Sequence, residues 1–244
     1  MLRDLWTVTH KEWLEILDQF LRLRRGGWSI LLVVFFLGIF VPLQLGPGWA
    51  NIPVMFFYWP FLTASMTSTI VSDAVAGERE RHTLETLLST RLSDTAVLGG
   101  KVLASVLYGY AFALSNLAIG MVTVHVRFGP AAESMSLPRF LSLLALLGST
   151  ATLVSGLGVL ASLRAATARQ AQQLFGVIML VAMMVPLALS RLLPEETVAT
   201  FVERAQDMGV EGVSWRIAGV ATLVALALLA FSVNRFKRGE VELG

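Results

Sequence analysis

Residues 28–72 read WSILLVVFFLGIFVPLQLGPGWANIPVMFFYWPFLTASMTSTIVS, and none of these 45 side chains is acidic or basic. Only the segment Leu45-Gly46-Pro47-Gly48 interrupts the run, near its middle. A helix needs about 20 apolar residues to cross about 30 Å of hydrocarbon. The run is therefore too long for one crossing and predicts two membrane-spanning helices joined by a Gly/Pro turn.

Four further runs without Asp, Glu, Lys or Arg follow, at 102–124, 140–163, 170–190 and 217–234. We predict an all-α polytopic membrane protein with six transmembrane helices, at 28–45, 52–74, 97–125, 138–163, 171–193 and 213–234. The composition agrees, because 15% of the residues are charged and a soluble domain has about 25%. Little sequence remains for a soluble domain, so we divide the chain into an interfacial segment, 1–27, and one transmembrane domain, 28–244.

The N-terminal segment 2–21 has the pattern of an amphipathic helix. Apolar residues, among them Leu5, Trp6, Ile16 and Leu17, share one face, and charged residues occupy the other. Trp and Leu opposite a charged face suit a helix that lies in the headgroup plane and contacts membrane lipid. The alternative is a helix packed on a protein core.

The distribution of basic residues predicts the topology. With a cytoplasmic N-terminus, 14 of the 19 Lys and Arg residues lie on the cytoplasmic side, as the positive-inside rule requires. We therefore predict a multi-pass protein of the cytoplasmic membrane. Both of its termini are expected to lie in the cytoplasm. In the outer loop between spans five and six, Pro194-Glu195-Glu196 predicts the start of a short amphipathic helix, and Gly209 predicts its end.

The spans lack the residues that several kinds of membrane chemistry require. No ionisable side chain lies at mid-span depth, which disfavours proton or sodium coupling. The three histidines lie outside the spans or at an edge, so none can act as base for an intramembrane serine. Cysteine is absent, which excludes disulfides and thiolate metal sites, and we predict no metal site or catalytic residue. The net charge of +2 does not suggest a nucleic-acid partner.

Small and polar residues remain inside the spans. Gly148, Thr152 and Gly156 recur at four-residue spacing in span four, which predicts close helix packing. Asn116 in span three is expected to hydrogen-bond a neighbouring helix. A role in lining a substrate path is the alternative for both.

The loop 75–96 between spans two and three carries a dense charge cluster, Glu78-Arg79-Glu80-Arg81. Leucines 84, 87 and 88 follow it and share one face of a predicted short helix. Apolar anchors beside charges are typical of a docking surface for another protein; a helix lying on lipid is the alternative. Ser93 or Asp94 is the expected N-cap of the next span.

This loop also carries a resemblance to a known family. Gly77-Glu78-Arg79-Glu80, two residues, then Thr83-Leu84-Glu85, Leu87-Leu88 and, further on, Gly99-Gly100-Lys101 resembles the signature of type-2 ABC transporter permeases, the membrane subunits of ATP-driven exporters. His82 departs from the pattern, since the family more often has a small residue there.

The resemblance implies a coupling helix at 78–92 that sits in a groove of a separate ATP-binding subunit, with the N-terminal helix as a second contact. It implies two copies of that subunit, which would bind the ATP and Mg, and a second permease protomer in a homodimer or close heterodimer. Spans one, two and five would line the interface and pathway. The implied coupling and partner-binding residues are Glu78, Arg79, Glu80, Arg81, Thr83, Leu84, Glu85, Leu87 and Leu88.

The sequence supports the need for a partner independently. No Gly-x-x-x-x-Gly-Lys-[Ser/Thr] segment occurs, so the chain has no phosphate-binding loop of that type and no cofactor of its own is expected. We therefore expect a non-catalytic permease subunit that moves a lipid-like molecule, an amphipathic peptide or a drug. The rival hypothesis is a non-transporting scaffold or sensor that recruits a cytoplasmic protein, and an intramembrane enzyme is disfavoured by the missing base.

Overall fold

The structure is a computed structural model that describes residues 2–21, 27–82 and 91–235. Over these ranges the protein is helical, with no strand. The helices are α1 (Leu2–Leu21), α2 (Gly27–Phe35), α3 (Val41–Leu45), α4 (Met55–Asp73), α5 (Ala76–Glu80), α6 (Asp94–Phe128), α7 (Leu137–Arg164), α8 (Ala168–Leu192) and α9 (Glu195–Arg235), and a π-helical turn (Phe36–Phe40) joins α2 to α3.

Helices occupy the positions of all the predicted crossings. The bounds differ by a few residues except at the last one, where α9 begins at Glu195 and the crossing was predicted from residue 213. Within the described ranges, three are long and apolar enough to cross a membrane: Thr95–Ala131, Leu137–Arg164 and Glu195–Ser232. A shorter apolar helix covers Leu31–Leu45. The all-helical class of the prediction is confirmed, and these lengths and compositions indicate a multi-pass membrane location.

Local signals explain several helix ends. The side chain of Ser93 accepts a hydrogen bond from the Ala96 amide, which confirms it as the N-cap of α6. The predicted outer helix starts at Glu195, and the backbone leaves helical geometry at Gly209, where φ is 67°. Only a residue without Cβ adopts that conformation at low cost, so Gly209 divides α9 into two helical segments.

Helix α7 occupies the centre of the bundle and packs against α4, α6, α8 and α9. The backbones approach closely at Gly158, where any Cβ would collide with the Val71 side chain of α4. At Gly156 a Cβ would lie 3.1 Å from Leu228 Cβ of α9. The close packing predicted for span four is thus confirmed at Gly156.

The π-helical turn lies against α6. Thr123 Oγ1 donates to the Gly38 carbonyl at 3.3 Å, and Ile119 packs on Gly38. Asn116 is fully buried nearby, but its Nδ2 donates to Phe112 O in its own helix at 3.0 Å. The hydrogen bond predicted from Asn116 to a neighbouring helix is therefore not formed among the described residues; the bond that forms is to the i−4 carbonyl of its own helix, and Asn116 Oδ1 has no partner there.

Helix α1 combines the two alternatives that the sequence left open. Val8 is buried against the backbone of Gly100 in α6, and Thr9 Oγ1 donates to Gly100 O at 3.3 Å. Trp6, Leu14 and Leu17 remain exposed. One face of α1 therefore packs on the bundle, and an adjacent apolar face is left open to its surroundings.

A polar network ties the loops together at the end of the molecule that is remote from α1. Arg139 Nε donates to Glu211 Oε1 at 2.8 Å, and its Nη1 donates to Asn51 Oδ1 at 3.3 Å. Asn51 Nδ2 in turn donates to Glu133 Oε2 at 3.3 Å. This remote network links α7 and α9 to the loops that precede α4 and α7.

Candidate functional site

The short helix α5 begins three residues after α4 ends, and one serine of α7 holds this turn. Ser162 Oγ accepts hydrogen bonds from the Val75 and Ala76 amides at 3.0 and 2.9 Å, and it donates to Ser72 O at 3.1 Å. Ser162 is fully buried. Its hydroxyl thus satisfies three backbone groups that the end of α4 and the start of α5 leave without a helical partner.

Glu78 on α5 belongs to a buried ion triad. Lys101 Nζ in α6 donates to Glu78 Oε1 at 2.9 Å and to Glu12 Oε1 in α1 at 2.8 Å. The side chains of Lys101, Glu78 and Glu12 are only 5%, 9% and 14% exposed. Buried charges persist when they are paired, so this triad connects three elements at a point that solvent hardly reaches.

The next two residues contact the ends of two other helices. Arg79 Nη1 donates to the carbonyl of Ala165, the C-cap of α7, at 2.8 Å. Glu80 Oε2 accepts from the amide of Ala168, the first residue of α8, at 3.1 Å. A cation at a helix C-terminus and an anion at a helix N-terminus both interact favourably with the helix dipole. Each charge therefore has the sign that its helix end favours.

Arg81 is the last of the four consecutive charged residues, and it contacts the end of α4. Its Nη2 lies 2.6 Å from Asp73 Oδ2 at the end of α4, and this hydrogen bond raises the pKa of the Arg81 guanidinium. Gly77 lies beside the same carboxylate, where any Cβ would collide with Asp73. The glycine of the motif is thus required by the close approach of α5 to the end of α4.

Four consecutive charged side chains consequently contact four different helices: Glu78 contacts α6, Arg79 contacts α7, Glu80 contacts α8 and Arg81 contacts α4. We call this arrangement the helix-end junction; it consists of Glu12, Asp73, Glu78, Arg79, Glu80, Arg81, Lys101 and Ser162. A displacement of α5 necessarily changes contacts at all four helix ends. The arrangement suits the transmission of movement between helices.

The geometry corrects one part of the sequence interpretation and adds contacts to another. The continuous helix predicted for 78–92 does not form, because α5 ends at Glu80 and His82 has a φ of 57° that does not continue a right-handed helix. The charges of Glu78–Arg81, interpreted as facing a partner, contact the chain's own helices, and Glu80 and Arg81 are exposed as well. Their part in binding a partner stays a prediction. The predicted partner-binding residues Thr83, Leu84, Glu85, Leu87 and Leu88 lie outside the described residues.

Sequence reasoning missed Glu12, Asp73 and Ser162 as site residues. It treated Lys101 as the last residue of a motif and as a span-end residue that reaches water, whereas its side chain is only 5% exposed. The available signal was a lysine directly before a long apolar run, since such a residue is costly to bury without a carboxylate partner. The carboxylates that pair with Lys101 are set by tertiary contacts. Glu12 is 89 positions away from it in the sequence, and Glu78 is 23 positions away. A single sequence does not contain that information.

A comparison with protein families bears on this arrangement. The model of a family described as ABC-2 family transporter protein matches residues 47–202, which is more than half of the chain. The matched region contains every residue of the helix-end junction except Glu12. No curated protein matches the chain significantly.

Proposed function

Because the chain belongs to the ABC-2 transporter family, we propose that it is the permease subunit of an ABC exporter, driven by ATP hydrolysis in a separate ATP-binding subunit. The chain itself supplies the transmembrane path and catalyses no covalent chemistry. The observation that carries the proposal is the helix-end junction, because a surface driven by a partner needs a rigid connection to several transmembrane helices.

In this proposal six helical segments cross the membrane, and both termini lie in the cytoplasm. At 1.5 Å per residue, the 25 residues of α8 span about 38 Å, which is enough to cross about 30 Å of hydrocarbon. The 19 residues of α4 span about 28 Å, and the residues that flank this helix on both sides supply the rest of the crossing in this proposal. The excess of basic residues near α1, α5 and the C-terminus supports this orientation. The helix-end junction then lies at the cytoplasmic surface.

We propose that the ATP-binding subunit docks on the segment that follows α5, through Leu84, Leu87 and Leu88 with Thr83 and Glu85 beside them. The force is then transmitted by Glu78, Arg79, Glu80 and Arg81. Docking and transmission are thus assigned to neighbouring but different residues. Closure of two ATP-binding subunits moves α5 and, with it, the cytoplasmic ends of α4, α6, α7 and α8.

A second permease protomer completes the assembly in this proposal. Along α8 a row of large apolar side chains is exposed, including Val177, Val181, Val185 and Leu189. Such a face supports contact with lipid or with another protomer, and we propose a homodimer. The charge-free spans favour a lipid-like molecule, an amphipathic peptide or a hydrophobic drug as cargo.

The division between docking and transmission defines the test. The chain and its ATP-binding subunit are reconstituted in vesicles, and ATP-dependent movement of a fluorescent phospholipid and a fluorescent amphipathic peptide is measured together with ATP hydrolysis. We expect the double variant Leu84→Asp/Leu87→Asp to lose the ATP-binding subunit on purification. We expect Glu78→Gln/Glu80→Gln to keep the subunit and its hydrolysis, with at least a ten-fold drop in probe moved per ATP.

Glu133→Gln/Glu211→Gln, which removes two carboxylates from the remote network, is the matched control and should leave both quantities within two-fold. Unchanged transport in Glu78→Gln/Glu80→Gln would contradict transmission through the junction. Uphill movement of either probe by the chain alone would contradict the need for a partner. A complex that hydrolyses ATP but moves neither probe, with no response to any cargo tested, would favour the scaffold hypothesis.

A further inference from the structure

A groove of about 570 Å³ lies between α4 and α8, outside the helix-end junction. Its walls are formed by Phe61 on α4 and by Phe175, Met179 and Leu180 on α8. Phe175 is buried, whereas Phe61 and Leu180 are exposed. The volume lies within the range of small-molecule sites, and the open side faces away from the bundle.

One end of this groove is polar. Arg169, Gln172 and Gln173 line it there, and none of the three side chains donates a hydrogen bond to a described residue. The hydroxyls of Ser65 and Ser68, which also line the groove, donate to carbonyls of their own helix. The donors left for a ligand are therefore a guanidinium and two amides, and they suit an anion.

The groove has the length of one membrane leaflet. From Arg169 to Leu180 the helix advances 11 residues, or about 16 Å at 1.5 Å per residue. Half of a hydrocarbon core of about 30 Å is about 15 Å. A molecule with its charged group at Arg169 would thus place its apolar part beside Phe175 and Leu180 and end near the middle of the membrane.

We propose that this groove binds a phospholipid with an anionic headgroup, taken from the leaflet in which α8 begins. Arg169 holds the phosphate through paired N–H donors, a geometry that the guanidinium group favours over a lysine. Gln172 and Gln173 donate to the remaining headgroup oxygens, and the acyl chain lies along the apolar walls. The assignment of this leaflet to the cytoplasmic side rests on the proposed function.

The position of Arg169 connects this site to the helix-end junction. Its neighbour Ala168 donates its amide to Glu80. A second cavity, of about 310 Å³, is lined by Arg169 and Gln172 on one side and by Asp73 and Arg81 on the other. A headgroup at Arg169 is therefore one residue from a junction contact, and lipid occupancy and the position of α5 affect each other.

The test uses the full chain, purified without the ATP-binding subunit in nanodiscs of phosphatidylcholine. Binding of a fluorescent dioctanoyl phosphatidylglycerol is compared with that of the corresponding phosphatidylcholine. We expect the unmodified chain to bind phosphatidylglycerol more tightly than phosphatidylcholine, because the choline cation offsets the charge of its phosphate. We expect Arg169→Gln to weaken phosphatidylglycerol binding at least ten-fold and phosphatidylcholine binding by a smaller factor, so that the preference is lost. Arg164→Gln is the matched control, because Arg164 is an exposed arginine near the same end of α8 with no described partner.

Three further measurements address the apolar walls of the groove and its alternative occupants, a free anion and a second copy of the chain. Met179→Trp narrows the groove and is expected to weaken phosphatidylglycerol binding while Arg169 is intact. Binding that is equal in Arg169→Gln and the unmodified chain would overturn the proposal, as would full competition by millimolar inorganic phosphate, which would indicate a site for free anions. Because the chain has no cysteine, Leu180→Cys is a unique thiol, and its efficient cross-linking between two chains would assign the groove to a second copy instead.

These results are separable from the proposed function. The lipid assay contains no ATP-binding subunit, so a failure of lipid binding leaves docking and transmission untouched. A failure of ATP-dependent transport, conversely, leaves the lipid measurement valid.

Discussion

Both ends of the molecule contain an ion-pair cluster, and the two differ in burial. In the helix-end junction, Lys101 is 5% exposed and contacts two carboxylates on different elements. In the remote network, Arg139 of α7 and Glu211 of α9 pair with each other and are 27% and 31% exposed, and Arg139 also donates to Asn51 in the loop before α4. Burial makes an ion pair costly to break, whereas partial exposure lets water replace a lost partner. The helix-end junction therefore fixes the positions of helices relative to one another. The remote network attaches loops to α7 and α9 and contributes less to stability.

The largest effect is expected from breaking the buried triad. Lys101→Met removes the cation and leaves Glu12 and Glu78 buried without it, which should lower the free energy of unfolding by about 3–5 kcal/mol. Denaturation of the purified chain in detergent measures the loss. If Lys101→Met unfolds like the unmodified chain, the triad is solvated in the membrane protein and the comparison fails.

A smaller effect is expected from the hydrogen bonds beside the triad. Ser162→Ala leaves the Val75 and Ala76 amides buried without an acceptor, and an unsatisfied buried donor costs about 1–3 kcal/mol. Ser149→Ala is the matched control, since Ser149 Oγ donates only to Leu146 O within its own helix. Equal losses in the two variants, measured by the same denaturation, would show that Ser162 has no special role in holding α5.

The smallest effect is expected in the remote network. Arg139→Gln should cost about 0–1 kcal/mol, because a partly exposed pair is screened and water solvates the freed carboxylate. Salt should also reduce the difference between this variant and the unmodified chain. A loss comparable to that of Lys101→Met would mean that the two clusters do not differ as their burial indicates.

Helix positions could be predicted from the sequence because they depend on local patterns. Charge-free runs located the apolar helices, and Ser93 and Gly209 marked ends that hydrogen bonding and backbone geometry dictate within a few residues. The π-helical turn at Phe36–Phe40 was not predicted, because its extra residue per turn leaves no trace in an apolar segment. It depends on the contact between Gly38 and α6.

The candidate site was predicted only in part. The motif directed attention to the segment that contacts four helices, but the direction in which Glu78–Arg81 point depends on where α6, α7 and α8 begin and end in space. Asn116 shows the same limit, since the sequence suggested a partner helix and the structure gives a local carbonyl. Contacts between distant residues decided both cases.

The order of Glu78-Arg79-Glu80-Arg81 has a consequence for how this segment tolerates change. Exchanging Arg79 with Glu80 would preserve composition and net charge, yet it would put an acid at a carbonyl end and a base at an amide end. Deleting one residue would rotate the remaining side chains by about 100° on a helix of 3.6 residues per turn and point each at the wrong neighbour. The order of the four charged residues therefore matters as much as their identity, because each position contacts a different helix. A segment with the same four residues in another order would lose these contacts.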